Sequence, residues 1–570
     1  MRIKILRIII YSAIIFLGIN LFYIQVIRGQ RYYNLSVHNR IRIIPLKERR
    51  GRIYDRNGVV LADNRLAFDV TLIPQDIKDK DRLFTFLSEA LNVDREKLLR
   101  QFDLKKMTPF APVVVSPDVN KTTAMYLEEN KFLFPGLYIQ ETYNRSYPFG
   151  AVGAHVLGQV GKITRERMGE IEDYGFTPQS IAGYAGVEAY YDDYLRGKPG
   201  GIQIEVDNRG RQVQLLSLRE PESGDDIYLT LDQRIQDVAA RVLGNRHGTV
   251  IVMDLDSGEI LAMVSSPCFD PNAFSGSALK QQVGQYYLDE SAPLLNRAIQ
   301  GLYPPGSVFK TVVAIAGLDT GKISADTVFE CKGYFALGRR RFHCLHVHGR
   351  QNLLEGIYHS CNVYFYNVGD LLGPDILHKY ARMFGLGSLT HIDLPFEKEG
   401  FVPSRLWRRM ENRGWYRGDT LNFSIGQGDL LVTPLQVVRL IATIGRNGRD
   451  VQPHLIKNIG SKDIVKFSTI RHIGLAHGVY ETVKRGLRLA VAHSTGTARA
   501  LDLDDWEISG KTGTAQTVPG KEEHAWFTGY ETQGKIKIAF CIFLEYGDSS
   551  YYAVRLAQDL LQQLREREIL

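Results

Sequence analysis

Ser307 and Lys310 are the first pair of residues in this chain whose types and spacing could do chemistry. They stand three apart in Tyr-Pro-Pro-Gly-Ser-Val-Phe-Lys-Thr-Val-Val-Ala-Ile-Ala-Gly, residues 303–317. The turn signal Pro304-Pro305-Gly306 runs into an apolar stretch that predicts a buried helix. Positions i and i+3 share a helix face, so the hydroxyl and the amine can meet. A serine hydroxyl is a weak nucleophile without a base beside it. A lysine can be that base only when burial or a second cation keeps it neutral. The start of the helix also offers backbone N–H groups to an oxyanion. Together these features suit acyl transfer. Ser-x-x-Lys alone is a weak signal. Ser277-Ala-Leu-Lys280 repeats it within a polar segment that reads as a loop.

Two further elements supply the missing specificity. Ser360-Cys361-Asn362 follows a stretch, residues 353–358, that reads as a helix. Lys511-Thr512-Gly513-Thr514 follows Trp506-Glu-Ile-Ser-Gly and precedes residues 525–530 and 535–544, which read as antiparallel strands. Three such elements in this order, each in a fitting local context, rarely coincide by accident.

Cysteine and histidine cluster around the same motifs: Cys331, Cys344, His348 and Cys361. Three thiolates and an imidazole suit tetrahedral zinc. The alternatives are a Cys331–Cys344 disulfide, common outside the cytoplasm, or free thiols. His343 or His346 could replace His348 as a ligand. The other two of the five cysteines, Cys268 and Cys541, read as buried apolar residues. The odd count argues against a simple disulfide framework.

The elements that must position these groups follow from the rest of the chain. Its 570 residues allow three or four domains. The formal charge of +7 is small for this length. No basic stripe with interleaved aromatics is visible, which argues against nucleic-acid binding. Residues 8–27 are uncharged and, as a helix, span about 30 Å, the thickness of a bilayer core. The stretch Val26-Ile27-Arg28-Gly29-Gln30 lacks small residues for signal-peptide cleavage, so an uncleaved anchor is expected. With residues 1–7 as a short cytoplasmic tail, residues 28–570 are expected outside the cytoplasm. Residues 40–66 are strongly basic, as suits a face near anionic headgroups, and Asp55-Arg-Asn-Gly58 reads as a tight hairpin turn. Residues 66–140 mix short strands and helices and carry no visible chemistry. Residues 143–161 read as strand and loop. Glu188, at the start of a short helix, reads as a structural carboxylate paired with arginine. Residues 226–231 read as a strand and 233–242 as a helix. Residues 249–253 and 260–264, joined by Asp256-Ser257-Gly258, read as a hairpin that opens the catalytic domain.

Ser-x-x-Lys, Ser-x-Asn and Lys-Thr-Gly in this order resemble the signature of the penicillin-binding proteins. With the anchor, Arg50-Gly-Arg-Ile-Tyr-Asp-Arg-Asn-Gly58, Gly183–Glu188, residues 224–232 and Ser424-Ile-Gly-Gln-Gly428, the whole chain looks like a class B, monofunctional member. It is most similar to penicillin-binding protein 2, the elongation type. The resemblance implies an α/β (α+β) β-lactamase-like transpeptidase domain over 226–570, with an antiparallel sheet and helices. Before it would come a mainly β pedestal over 28–225, with an inserted head near 66–140. It also implies a peptidoglycan D,D-transpeptidase at the inner membrane, with its catalytic domain in the periplasm. Ser307 would be the nucleophile, Lys310 its base, and Ser360 and Asn362 their partners. Lys511, Thr512, Gly513 and Thr514 would bind the substrate carboxylate, and Lys511 would be the second cation that keeps Lys310 neutral. Implied partners are stem peptides, β-lactams, a RodA-type polymerase and an MreC-type scaffold. Some homologues hold zinc in this region, which fits His348 and Cys361 best; Cys331 and Cys344 stand where those homologues use aspartates. The competing readings are a D,D-carboxypeptidase, a β-lactamase, a septal transpeptidase and a scaffold with relic motifs. No Glu-x-x-Leu-Asn motif supports a β-lactamase.

Overall fold

A computed structural model describes residues 2–30, 41–106, 112–163, 181–206, 212–275, 280–463, 471–503, 506–517 and 520–569. The second Ser-x-x-Lys begins at Ser277, outside the described residues. Apart from the N-terminal helix, the chain packs into two compact units. One gathers residues 64–144 and 196–224 with the segment before residue 51. The other gathers 51–63, 145–195 and 225–570.

The helix Arg2–Phe22 continues as a wider turn over Tyr23–Ile27. Among the described residues, only the segment Ile5–Ile27 is long and apolar enough to cross a membrane.

In the first unit, Phe68–Leu72 pairs antiparallel with Val113–Val119, and helices Lys80–Leu91, Arg95–Lys105 and Lys121–Asn130 pack around Phe84, Leu87, Phe102 and Leu127. Asp79, Asp94 and Asn120 cap these helices through side-chain acceptors. A separate three-stranded sheet joins Ile41–Leu46, Gly200–Val206 and Gln212–Arg219.

In the second unit, five strands form an antiparallel sheet in the order Ile260–Ser266, Gly248–Asp254, Ile538–Leu544, His524–Glu531, Ser509–Ala515. Sequence-distant strands are therefore neighbours, because the C-terminal hairpin inserts beside Gly248–Asp254. Side chains alternate between faces. Val250, Val252, Phe540 and Ile542 pack against helices Gln233–Leu243 and Ser550–Glu566. Ile251, Met253, Cys541 and Phe543 face the opposite core, with helices Lys310–Asp319, Asn362–Met383, Pro434–Gly445 and His477–Ala492. Both faces are covered, so all seven residues of Gly248–Asp254 but the last are buried.

The hairpins expected around Asp55–Gly58 and Asp256–Gly258 are present, as is the helix Leu353–Tyr358. One expectation fails: the stretch read as strand and loop contains a short helix, Ala154–Leu157. It is a single turn between Gly153 and Gly158, both with φ near +81°. A segment this brief shows no helical period.

Candidate active site

The three motifs reach one place from three different elements. Ser307 lies in a 3-10 turn, Gly306–Phe309, that feeds the apolar helix Lys310–Asp319. Ser360 and Asn362 sit between two helices, Leu353–Tyr358 and Asn362–Met383. Ser360 has φ of 57°, an unfavourable value for a residue with a Cβ. The backbone N–H of Cys361, donating to Gly356 O at 3.0 Å, holds the chain in that turn. Lys511, Thr512, Gly513 and Thr514 occupy the edge strand of the five-stranded sheet, paired with Thr528, Phe527, Trp526 and Ala525.

Glycine lets these elements touch. A Cβ on Gly306 would lie 2.5 Å from Thr514 O, and one on Gly513 would lie 3.0 Å from Pro305 O. The edge strand and the Ser307 turn thus meet at backbone contact. Gly306 N–H donates to Gly426 O at 3.0 Å, Gln427 Nε2 donates to Thr514 O at 3.4 Å, and Trp526 Nε1 donates to Pro304 O at 3.1 Å. Gly426 and Gln427 belong to the Ser424–Gly428 stretch, so that stretch ties the Ser307 turn to the strand Ser509–Ala515.

Lys310 and Lys511 are both 0 % exposed. Lys310 Nζ donates to Asn362 Oδ1 at 2.6 Å, to Ser360 O at 2.7 Å and to Ser360 Oγ at 3.3 Å. Lys511 Nζ donates to the same Ser360 Oγ at 2.8 Å and to Thr512 O at 3.1 Å. Ser360 Oγ therefore bridges two amines. Burial lowers Lys310 to about 8, against a smaller opposing pull from the Cys344 and Cys361 sulfurs. Burial, and then the charge of Lys310, lower Lys511 well below its usual value. Two ammonium groups cannot both stay charged here at low cost. The pull on Lys310 thus comes from burial, as the apolar run suggested, and the charge repulsion falls on Lys511, whereas the resemblance implied that Lys511 keeps Lys310 neutral.

Among the described residues, no hydrogen bond joins Ser307 Oγ to Lys310 Nζ. All three Lys310 Nζ hydrogen bonds go to Ser360 and Asn362. Such contacts commonly form only when substrate binds. Asn362 is itself fixed: its Nδ2 donates to His343 O at 3.2 Å and its backbone N–H to Cys344 Sγ at 3.3 Å.

Cys331, Cys344, His348 and Cys361 converge, with their ligand atoms within 4.8 Å of one another. His348 Nδ1 lies 3.6 Å from both Cys331 Sγ and Cys344 Sγ. A tetrahedron with metal–sulfur bonds of about 2.3 Å has edges near 3.8 Å, so this donor set fits a tetrahedral ion. The five cysteines are all free thiols, so Cys331 and Cys344 are not bridged. His348, not His343 or His346, supplies the imidazole; the carbonyls of the other two accept hydrogen bonds instead. A hydrogen bond from Cys361 holds Cys344 far below the usual thiol range. The cluster could therefore hold a metal. Because Cys361 stands between Ser360 and Asn362, the cluster and the Lys310 partners share one turn of chain.

Glu188 pairs with Arg145 at 2.6 Å, with both side chains buried, which is the structural role expected of it. Sequence reasoning missed Thr497, which accepts from Thr512 Oγ1 at 3.0 Å, and Gln427. Nothing in the type or spacing of Thr497 sets it apart. Gln427 lay within a stretch noticed only for its resemblance.

Comparison with known proteins agrees with this geometry. The penicillin-binding protein transpeptidase domain family matches residues 248–565, and the penicillin-binding protein dimerisation domain matches 45–229. The peptidoglycan D,D-transpeptidase MrdA of Acinetobacter baumannii is 34% identical over 558 residues, covering 94% of this chain and 83% of the relative. Among solved structures, the Helicobacter pylori penicillin-binding protein (PBP2) in its complex with MreC superposes with a TM-score of 0.83 at 30% identity, covering 93% of this chain and 100% of that one. A chain of a peptidoglycan synthase complex, solved for its coordination of polymerization and crosslinking, gives 0.74 at 31% identity, covering 98% and 97%. The chain thus belongs to the penicillin-binding protein transpeptidase family, as a class B, elongation-type peptidoglycan D,D-transpeptidase of the MrdA group.

Proposed function

We propose that Ser307 is the acylated residue and that Ser360 Oγ, set between Lys310 and Lys511, is the proton conduit of the reaction. That bridging geometry carries the reading. Ser307 Oγ attacks the carbonyl carbon of the penultimate D-alanine of a stem peptide, and neutral Lys310 takes its proton. The Ser307 and Thr514 N–H groups face the developing oxyanion. The C–N bond breaks, and Ser360 passes the proton from Lys310 to the departing D-alanine amine. An amine from a neighbouring stem then attacks the ester and gives a proton to Lys310, which returns it to Ser307 Oγ as the C–O bond breaks and the cross-link closes. The donor's terminal carboxylate binds beside Lys511, Thr512 and Thr514. Its charge favours the Lys511 ammonium, which in turn favours the neutral form of Lys310. β-Lactams, which carry a reactive amide and a carboxylate at comparable spacing, acylate Ser307 by the same first step.

Cys331, Cys344, His348 and Cys361 hold a zinc ion whose role is structural: it fixes the turn bearing Ser360 and Asn362. The helix ending at Ile27 anchors the protein in the inner membrane, with the catalytic unit in the periplasm. Residues 28–225 form the pedestal, with its head near 66–140, and residues 226–570 the catalytic domain. An MreC-type scaffold and a RodA-type polymerase are the partners. The similarity to the H. pylori protein in its MreC complex and to the chain of the synthase complex supports both.

Fluorescent penicillin tests the nucleophile: wild type labels and Ser307→Ala does not. An adduct mapped to any other side chain overturns the assignment. Lipid-linked precursor with a cognate polymerase tests the acceptor, since cross-linked dimers, not trimmed monomers, are the expected product.

A further inference from the structure

The helix His477–Ala492 leads into a short loop, residues 493–498, that none of the three motifs includes. The far end of the loop is tied back to that helix, since Ala498 N–H donates to Ala490 O at 2.8 Å. Its middle touches both halves of the active site. On one side Thr497 Oγ1 accepts from Thr512 Oγ1 at 3.0 Å. On the other, Thr497 N–H donates to Tyr358 O at 3.3 Å, and Thr495 Oγ1 lies 2.8 Å from His359 Nε2. His359 immediately precedes Ser360.

His359 is the informative residue, because its ring is held on three sides before it meets Thr495. It stacks on His348, with centroids 5.5 Å apart and planes 18° from parallel, and it meets the Tyr358 ring edge-on at 4.3 Å. Its Nδ1 lies 2.8 Å from Gln351 Oε1. Gln351 Nε2 donates to the carbonyls of His348 and Arg350, which leaves Oε1, an acceptor only, facing His359. Nδ1 therefore carries the proton, and Nε2 of the neutral ring accepts from the Thr495 hydroxyl. His493 Nδ1, 2.9 Å from the same hydroxyl, belongs to the loop itself and ties it to nothing else. Thr495 and Thr497 are both exposed, so the fixed ring is what gives the loop a firm partner on the Ser360 side. What the loop holds in turn is the Thr512 hydroxyl. Two hydroxyls that share one hydrogen bond have one proton left to give, and an ionised carboxylate is a strong acceptor for it. Where that proton points depends on where Thr497 stands.

We propose, on the reading of Lys511, Thr512 and Thr514 as the carboxylate pocket, that His359 is a positioning residue for the donor carboxylate, acting through Thr495 and Thr497 on the Thr512 hydroxyl. The helix His477–Ala492 packs against both the strand bearing Lys511 and the helix preceding Ser360, so the loop that follows it is well placed to couple them. Carboxylate recognition then depends on a side chain next to Ser360 that touches no substrate.

The test uses the full-length protein in detergent and compares stopped-flow acylation by benzylpenicillin with that by its methyl ester, which has no carboxylate. The wild type is expected to prefer the acid. Thr495→Val and His359→Phe should each cut that preference about fivefold or more, by raising the half-saturating concentration of the acid while leaving the ester rate and the pH midpoint of acylation in place. The double variant should be no worse than either single one, and Thr495→Ser should restore the preference. Thr495 is an exposed loop residue, so Thr495→Val decides the matter if His359→Phe does not fold. A preference that Thr495→Val leaves unchanged, or acid and ester slowed alike as a merely structural role would slow them, overturns the proposal while the pocket stands. A wild type with no preference for the acid overturns the pocket itself, and the role of His359 with it.

Discussion

Raising the pH from about 7 to about 9 is expected to accelerate acylation of Ser307, and the size of the effect follows from the burial of Lys310. Only the neutral amine can take the Ser307 proton. With Lys310 lowered to about 8, about a tenth of the molecules carry a neutral amine at pH 7, about half at pH 8 and about nine tenths at pH 9. The sign is fixed by the direction of titration: a lysine loses its proton as pH rises, so the competent fraction grows. The second-order rate of benzylpenicillin acylation should therefore rise about fivefold between pH 7 and 8 and less than about twofold from 8 to 9. Benzylpenicillin needs no acceptor amine, and its carboxylate stays ionised over this range, so the profile reports the enzyme alone. Stopped-flow acylation, with the folded state followed at each pH, measures it. A profile flat from about pH 6.5 to 9, or one still climbing steeply near pH 10, would refute the argument that burial sets the base's pKa.

Four other outcomes are expected. Lys511→Met removes the partner but leaves Lys310 buried, so the midpoint of that pH profile should stay in place while acylation slows; a midpoint that moves upward would show that the Lys511 charge also keeps Lys310 neutral. Gly426→Ala places a Cβ 2.1 Å from Gly306 O at a φ of +72°, and displacing the Ser307 turn by about 1 Å should slow acylation on the order of 10²-fold, read by penicillin labelling. Glu188→Ala leaves Arg145 buried beside no carboxylate and should cost about 3–5 kcal/mol, read as a lowered urea midpoint. Protein purified without chelators should hold one zinc per chain; stripping it should lower the thermal midpoint and slow acylation about tenfold or more, because an ion on Cys361 would fix the turn that bears Ser360 and Asn362. A mapped Cys331–Cys344 disulfide in metal-free native protein would end that reading.

Much of the site was legible because local chemistry marks it. A turn before an apolar run announces the Ser307 helix, and two continuous apolar, β-branched runs announce the hairpin at Asp256–Gly258. The cysteines and His348 were legible as a set, although their spacing left three histidines open. Only the fold decides among them. Strands Phe329–Cys331 and Gly349–Gln351 pair antiparallel, with Cys331 opposite Gly349, which brings His348 beside Cys331. What the sequence hides is every contact whose cause lies far along the chain. Gly306, Gly426 and Gly513 are unremarkable one at a time. They matter because three segments meet there at backbone contact, where any side chain would force them apart. Thr497 is likewise marked only by its position against Thr512.

The charge arrangement was half legible for the same reason. A lysine in an apolar run must be perturbed, but the order in which two lysines give up protons depends on which one the other's field reaches and on what binds beside it. Ser360 Oγ lies between them at 3.3 and 2.8 Å, so on the proposed reading a carboxylate arriving at Lys511 would change the proton affinity of Lys310 through a hydroxyl that already touches both. Substrate recognition and activation of the base would then be one electrostatic event. A ligand lacking that carboxylate should lose acylation rate as well as affinity.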